Sequence, residues 1–486
     1  MEKKRIPALL LAVLLTVSAT SCSSGDDKTA DEATTTASTI TESETAAPRD
    51  SLPELDFNGT EVTIYAASDL PVIEFDAEQT GDIVSDAVFA RNLAVAERLN
   101  IKLGWYMTPG LWADQNSFKG VIRSAIQAGE QAYDIVAGYG VFISDLAVEQ
   151  LFGNLTDTKY IDFNQPWWSD SLVENLSVNG KLYFASGDIS TNTIGTSFSV
   201  IFHKKLLENY KLDNPYEIVD AGQWTIDRMF GMASEIYTDL NGNDKRDEED
   251  FYGLYSQVTS FDNFYYSCGM SCVIPDGVGG MKVSEDFGSQ KMSTLVEKMC
   301  NAFHNTVGCN FGDEDGPPVK SFINGNTIFF LSGLKVASTS LRDTEFEYGV
   351  LPTPKWDETQ EQYRSTTSYL GSLYSIPLDA ADADMSSAIM EALAIEGYYE
   401  LAPAFFETAL KVKYSSDNDS ARMYDIIRSS VTYDFGRVFS MGGLNSIPGK
   451  IRSMVSGNDT NWASAYAANI DTLETKLAEL VEKFAG

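Results

Sequence analysis

Asp239-Leu-Asn241-Gly-Asn243-Asp-Lys245-Arg-Asp247-Glu-Glu-Asp250 is the stretch whose residue types and spacing specify chemistry most directly. Side-chain oxygens at positions one, three and five, a backbone carbonyl at seven, and acids at nine and twelve form the pattern of an EF-hand-type calcium loop. The expected ligands are Asp239, Asn241, Asn243, the carbonyl of Lys245, Asp247 and Asp250. Two positions depart from the pattern. Position six is Asp244 where glycine usually takes the left-handed turn, a conformation Asp tolerates better than most residues. Position twelve is Asp250, a shorter arm than Glu. The expectation is a calcium ion in a structural role; the bland alternative is an acidic turn without metal.

Catalytic chemistry is much less in evidence. The chain has no G-x-S-x-G, no H-E-x-x-H and no phosphate-cradling Gly-rich loop. Among 70 Asp and Glu, any chosen pair of carboxylates carries no information. The expectation is a protein that is not an enzyme. His203 and His304 are the only histidines, and neither stands at a zinc-ligand spacing from Cys268, Cys272, Cys300 or Cys309. Those cysteines allow three local disulfide pairings, or none if they are buried thiols. Tryptophans at 105, 112, 167, 168, 224, 356 and 462 are a further resource. Aromatic faces stack on sugars while acids and amides take the hydroxyls. Trp224 and Trp356 read as structural, and Trp167-Trp168 as core or cleft.

The elements that must position such groups can be read from periodicity. Val62–Ala66, Ile101–Trp105 and Ala132–Ala137 are strand-like, and Ser85–Leu99 is a helix with Val88, Phe89, Leu93, Val95, Ala96 and Leu99 on its apolar face. Asn179-Gly180 supplies the positive φ of a tight hairpin leading into a strand at Lys181–Ala185. Phe198–Phe202 is another strand, followed by a helix at Leu206–Tyr210. Gly187–Gly195 lies between these strands, too polar to bury, as a connector that crosses between lobes and bends. Thr225 caps a helix over Ile226–Tyr237. Phe322–Gly333 and Phe346–Pro354 add further strand-like runs.

In this order and spacing the chain resembles the extracellular solute-binding proteins of bacterial ABC importers, the large group that includes maltose-binding protein. The N-G-K-L-Y-F…I-F-H-K-K crossover and the Y-G-V-L-P-T-P strand carry most of the resemblance. It implies an α/β, two-lobed fold of the type II periplasmic-binding-protein class with a ligand cleft between lobes. Lobe one would span 52–189 and 372–420, and lobe two 197–366 and 422–486, with a return crossing at Thr366–Ser375. It also implies capture of a solute, an oligosaccharide, by a monomer that delivers it to permease subunits. The rival expectation is a surface protein that senses or adheres to carbohydrate without transport. Carried over position by position, the ligand-binding residues would be Ser68, Asp69, Tyr139, Asp188, Phe261, Tyr265, Lys335 and Tyr374. Lys335 falls near the place of a stacking tryptophan, which puts maltodextrin itself in doubt.

Residues 1–21 look like a lipoprotein signal: Lys3, Lys4 and Arg5, an apolar run over Ile6–Val17, then Ala19-Thr20-Ser21 before Cys22. Ala19 stands where that box usually has Leu. Cys22 would carry the lipid and hold the protein at the extracellular face of the membrane. Residues 22–51, rich in Thr, Ser, Ala, Glu and Asp, read as a disordered tether. The leader carries +2 (three bases against Glu2), so from a formal −35 the mature chain would carry −37. That excludes nucleic acid as a partner, because its binding needs cationic footprints. It also disfavours long-range steering of an anion.

Overall fold

Strand β1 (Thr60–Ala67) is exposed at its start and fully buried from Ile64 onward, the signature of a parallel strand covered on both faces. The computed structural model describes residues 50, 52–313, 316–369, 371–410 and 418–485. The expected leader, Cys22 and nearly all of the tether lie outside the described residues. The folded contacts begin two residues earlier than Leu52, because the Asp50 carboxylate pairs with Arg98 at 2.6 Å. No helix among the described residues is long and apolar enough to cross a membrane.

Helix α1 (Ile83–Leu99) starts where Asp82 accepts the amide of Ser85 at 3.1 Å and stops at Asn100 in the left-handed conformation. Its buried face is Val84, Val88, Val95 and Leu99, whereas Phe89 and Leu93, expected inside, are exposed. The reason is that Arg91 and Asn92 take inward positions to bond the carbonyls of Glu74 and Phe75. β2 (Ile101–Thr108), helix α2 (Gln115–Ala128), β3 (Ile135–Tyr139) and helix α3 (Gly140–Val148) follow. β1 pairs in parallel with β2 and β3, and a late strand, β12 (Ser372–Ser375), closes the first sheet antiparallel to β3. The order is β12-β3-β1-β2.

The second sheet has the order β11-β4-β10-β6-β5. It contains β4 (Phe198–His203), β5 (Tyr237–Thr238), β6 (Phe251–Gln257), β10 (Thr327–Gly333) and β11 (Tyr348–Pro352). β9 (Cys309–Gly312) shares the β5 side of β6. A separate hairpin joins β7 (Val273–Pro275) to β8 (Met281–Val283). Thr225 caps its helix as expected, but that helix ends at Ala233 instead of Tyr237. The backbone of Gly253 packs so closely on Ala233 that a Cβ there would lie 2.4 Å from the Ala233 carbonyl, and Tyr237 pairs with β6 instead.

Three chain segments meet between the sheets. Phe198 donates to the Thr366 carbonyl at 3.1 Å and Ser368 to that of Thr196 at 2.9 Å. Ser365 in turn donates to Ser430 at 2.8 Å and accepts from Thr432 at 2.7 Å. The Asn179-Gly180 turn forms with both φ angles positive, closing a one-pair hairpin between Val178 and Lys181. The expected strand at Lys181–Ala185 does not form, because only Ala185 finds a strand partner, Tyr374.

The polar connector is the larger correction. Ser186, Asp188, Ser190, Thr191, Asn192, Thr193 and Gly195 are all buried, and Thr191–Gly195 is a short helix. A segment this polar can be buried because its groups are hydrogen-bonded. Cys268, Cys272, Cys300 and Cys309 are buried free thiols, and burial pushes Cys300 and Cys309 up to about 11. Trp167 and Trp168 belong to the core, both indoles donating to the buried carboxylate of Glu391 at 2.9 and 2.8 Å.

Candidate functional site

Parallel strands bring their carboxyl ends to one edge, the place where open α/β sheets bind ligands. Beyond β1, Ser68 is exposed and its amide donates to Thr108 at 2.9 Å. Asp69 Oδ1 accepts the amide of Gly110 at 2.8 Å, which pins the loop after β2. Only glycine fits at that point, since a Cβ on Gly110 would lie 2.6 Å from the Ala67 side chain. Oδ2 of Asp69 has no partner among the described residues.

Two residues further on, Trp112 is 45% exposed. Its ring stacks on Phe142 (5.6 Å, 23°) and lies 6.0 Å from Tyr139, which itself stacks on Phe142 at 4.7 Å. Lys119 sits 5.5 Å from the Phe142 centroid and pairs with Asp145 at 2.8 Å. The result is a rigid aromatic shelf at the edge of the first sheet, with carboxylate and hydroxyl oxygens beside it.

Behind that edge the crossing segments are fastened by Glu74. Its Oε1 accepts from Tyr374 at 2.6 Å; its Oε2 accepts from Ser190 (2.9 Å), the amide of Asn192 (2.9 Å) and Ser372 (3.2 Å). Burial raises the Glu74 carboxyl against the pull of these donors and of Arg91. Asp188 pairs with Arg428 at 2.6 Å, and burial pushes its carboxyl up to about 6 although Arg428 opposes the shift. A third cluster sets buried Asp262 between Arg437 (3.4 Å) and Arg452 (3.1 Å), with the Arg437 guanidinium 4.4 Å over Tyr369. A cavity of about 30 Å³, with room for water, lies against Thr366–Tyr369, Asp434 and Arg437.

Solved structures provide the comparison, since no family model and no curated protein matches the chain. An ABC substrate-binding protein from Listeria monocytogenes in complex with cycloalternan aligns over 86% of this chain and 99% of its own, at 13% identity and a TM-score of 0.54. The maltose/maltodextrin-binding domain from Bdellovibrio bacteriovorus bound to maltotriose aligns over 87% and 100%, at 13% identity and 0.53. The galacto-N-biose/lacto-N-biose I-binding protein of an ABC transporter from Bifidobacterium longum, in complex with lacto-N-biose, aligns over 88% and 98%, at 12% identity and 0.53. The chain has the type II solute-binding-protein fold.

Within this binding-protein fold, Ser68, Asp69 and Tyr139 stand together at one edge, joined by Trp112. The other expected ligand residues do not join them. Phe261 is buried against Phe303 (4.7 Å) and Phe311 (5.3 Å), and Tyr265 is buried on Tyr266, their rings 3.9 Å apart. Tyr374 is spent on Glu74 and Asp188 on Arg428. Lys335 is half-buried in the turn after β10, against Gly195. Trp112 is the residue that sequence reasoning passed over. Its signal was the preceding Thr108-Pro109-Gly110, which ends β2 and leaves an aromatic in a loop.

The acidic loop is built apart from this edge. Asp239 accepts the amides of Gly242 (2.7 Å) and Asp244 (2.8 Å), and Asn243 that of Lys245 (2.7 Å). Asp250 accepts Leu240 (3.2 Å), Asp247 (3.0 Å) and the Tyr237 hydroxyl (2.8 Å). Asp244 takes the left-handed conformation (φ 58°) that position six requires. Among the described residues, however, no three His, Cys, Asp or Glu side chains gather as a metal group. The backbone turn at position six is that of a calcium loop, and Asp239 and Asp250 accept main-chain amides. On the calcium reading, a chelator lowers the melting temperature and Asp239→Ala removes that sensitivity. Saturation a hundredfold over Kd would be worth about 2.7 kcal/mol. Identical melting curves with and without chelator would dismiss the metal.

Proposed function

We propose that the protein captures an oligosaccharide outside the cell, as a monomer, and delivers it to the membrane subunits of an ABC importer. The observation that carries this reading is Trp112, an exposed indole braced by Tyr139 and Phe142 at the carboxyl edge of the first sheet. A braced indole offers a flat apolar face to the C–H face of a sugar ring without losing side-chain freedom on binding. Ser68 and the free oxygen of Asp69 supply polar groups for hydroxyls. The sugars bound by the three structural neighbours named above support the same class. The three crossing segments are where the lobes would hinge around the ligand.

Thermal-shift screening of an oligosaccharide panel followed by calorimetric titration tests this. Trp112→Ala should weaken the best ligand at least tenfold, about 1.4 kcal/mol, and lower the melting temperature only modestly, since the ring is 45% exposed and loses its stacking on Phe142 and its contact with Tyr139. If no oligosaccharide binds the intact chain, the reading fails. In the same proposal Cys22 carries the lipid that holds the receptor near its permease. Cys22→Ala should then move the protein from the membrane fraction to the medium; unchanged fractionation would remove the anchor.

A further inference from the structure

Eleven arginines lie among the described residues, and ten give their guanidinium groups to a carboxylate, a carbonyl or an amide oxygen. Arg364 is the exception. It is half-buried and its carbonyl accepts from the Thr353 hydroxyl at 3.0 Å, yet its guanidinium has no hydrogen bond or ion pair among the described residues. It immediately precedes Ser365, where the three crossing segments meet. Its electrostatic neighbours are Asp434, Tyr266 and Asp286.

The nearby carboxylates explain why none serves it. Asp434 is buried and committed to main-chain amides: Cys272 at 2.8 Å, Val273 at 3.3 Å and Arg437 at 3.0 Å. Asp262 is also buried and held between Arg437 and Arg452. Arg437 spends its remaining donors on the Thr367 carbonyl at 2.8 and 3.0 Å. Asp286 is exposed and does not pair with Arg364. Asp434 and Asp286 thus act on Arg364 through space without bonding it, and its guanidinium charge is left unpaired among the described residues. Burial of an unpaired cation is costly, and burial here presses the guanidinium toward deprotonation.

We propose that the oligosaccharide is anionic and that its carboxylate or sulfate docks on Arg364. This rests on the sugar-binding reading above. The guanidinium fork presents parallel N–H groups that match a planar carboxylate, or two oxygens of a sulfate, and such charge-assisted pairs are strong when shielded from water. The whole-chain charge of −35 repels such a ligand at long range. That repulsion is screened over about 8 Å at physiological salt, so local pairing with Arg364 decides affinity once contact is made.

The test is calorimetric titration of the full chain with uronate trisaccharides, their carboxyl-reduced neutral counterparts and sulfated trisaccharides. At least one anionic trisaccharide should bind tenfold or more tighter than its neutral counterpart; whether it is a uronate or a sulfated sugar identifies the anion. Arg364→Gln should abolish that preference and leave neutral binding unchanged, and Arg364→Lys should restore part of it. The melting temperature of Arg364→Gln should not fall, because the substitution breaks no bond. Equal affinity for charged and neutral partners overturns this inference and leaves sugar binding standing. Binding of neither kind overturns both. A preserved preference with a lowered melting temperature makes Arg364 a structural residue.

Discussion

Replacing Glu74 by alanine is expected to cost the fold about 3–5 kcal/mol, the loss typical of leaving one partner of a buried charged network uncompensated. The carboxylate is 2% exposed and takes four hydrogen bonds, from Tyr374, Ser190, Asn192 and Ser372. Its removal strands those donors in a dry site. It also leaves the guanidinium of Arg91, itself buried, with uncharged partners: the carbonyls of Glu74 and Ile189, the amide oxygen of Asn92 and Tyr374. Glu74→Gln keeps the volume and one acceptor, so its loss should be smaller. Because the four donors come from both strand crossings, the alanine variant should also loosen their join, and on the proposed function it should weaken a solute whose binding closes the lobes there. Urea unfolding of the three proteins measures the effect. A cost below about 1 kcal/mol for alanine would show that the network is solvated and does not fasten the crossings.

Strands β1 and β3 were legible because buried parallel strands are runs of Val, Ile, Tyr and Ala, and both are such runs. The Thr225 cap and the Asn179-Gly180 turn were legible because their chemistry is local. The polar connector was misread for the opposite reason. Its partners are remote: Ser190 meets Glu74 across 116 positions, and Asn192 meets Ser372 across 180. Composition shows the polarity of Gly187–Gly195 and is silent on who satisfies it.

The same blindness shaped the site. Tyr374 and Tyr265 are aromatic residues in the right regions, but a strand alternates its faces, and β12 turns Tyr374 toward Glu74. Asp188 stood in the crossing as expected, with Arg428 invisible 240 positions away. Arg364 left no trace in the sequence at all, because its meaning lies in what its neighbours have already spent.

Stability is expected to rise as the pH is lowered from 7 to 5. Burial pushes the carboxyl of Asp188 up to about 6 despite Arg428, and that of Asp434 to about 6 despite the amides it accepts. An unfolded Asp titrates near 3.8. Between that value and about 6 the native state therefore binds protons that the unfolded state does not, and stability falls as pH rises through this window. The stabilisation is complete below the unfolded value and lost above the native one. Each group contributes on the order of 3 kcal/mol across the window. Neutralising acids on a chain with a pI near 4.3 relieves self-repulsion in the same direction. The opposing groups, among them Asp56, Asp162, Asp247 and Asp357, are held below the usual carboxylate range by hydrogen bonds, so their contribution disappears only at lower pH. The maximum should thus fall between about pH 4 and 5. Asp188→Asn removes one of these titrations and should flatten the profile, and it should leave solute affinity unchanged because Arg428 is the partner of Asp188. Melting temperatures from pH 4 to 8 decide the matter: a monotonic fall from 7 to 5 would show that the two carboxyls titrate as solvated groups, and a loss of affinity in Asp188→Asn would return that residue to the ligand.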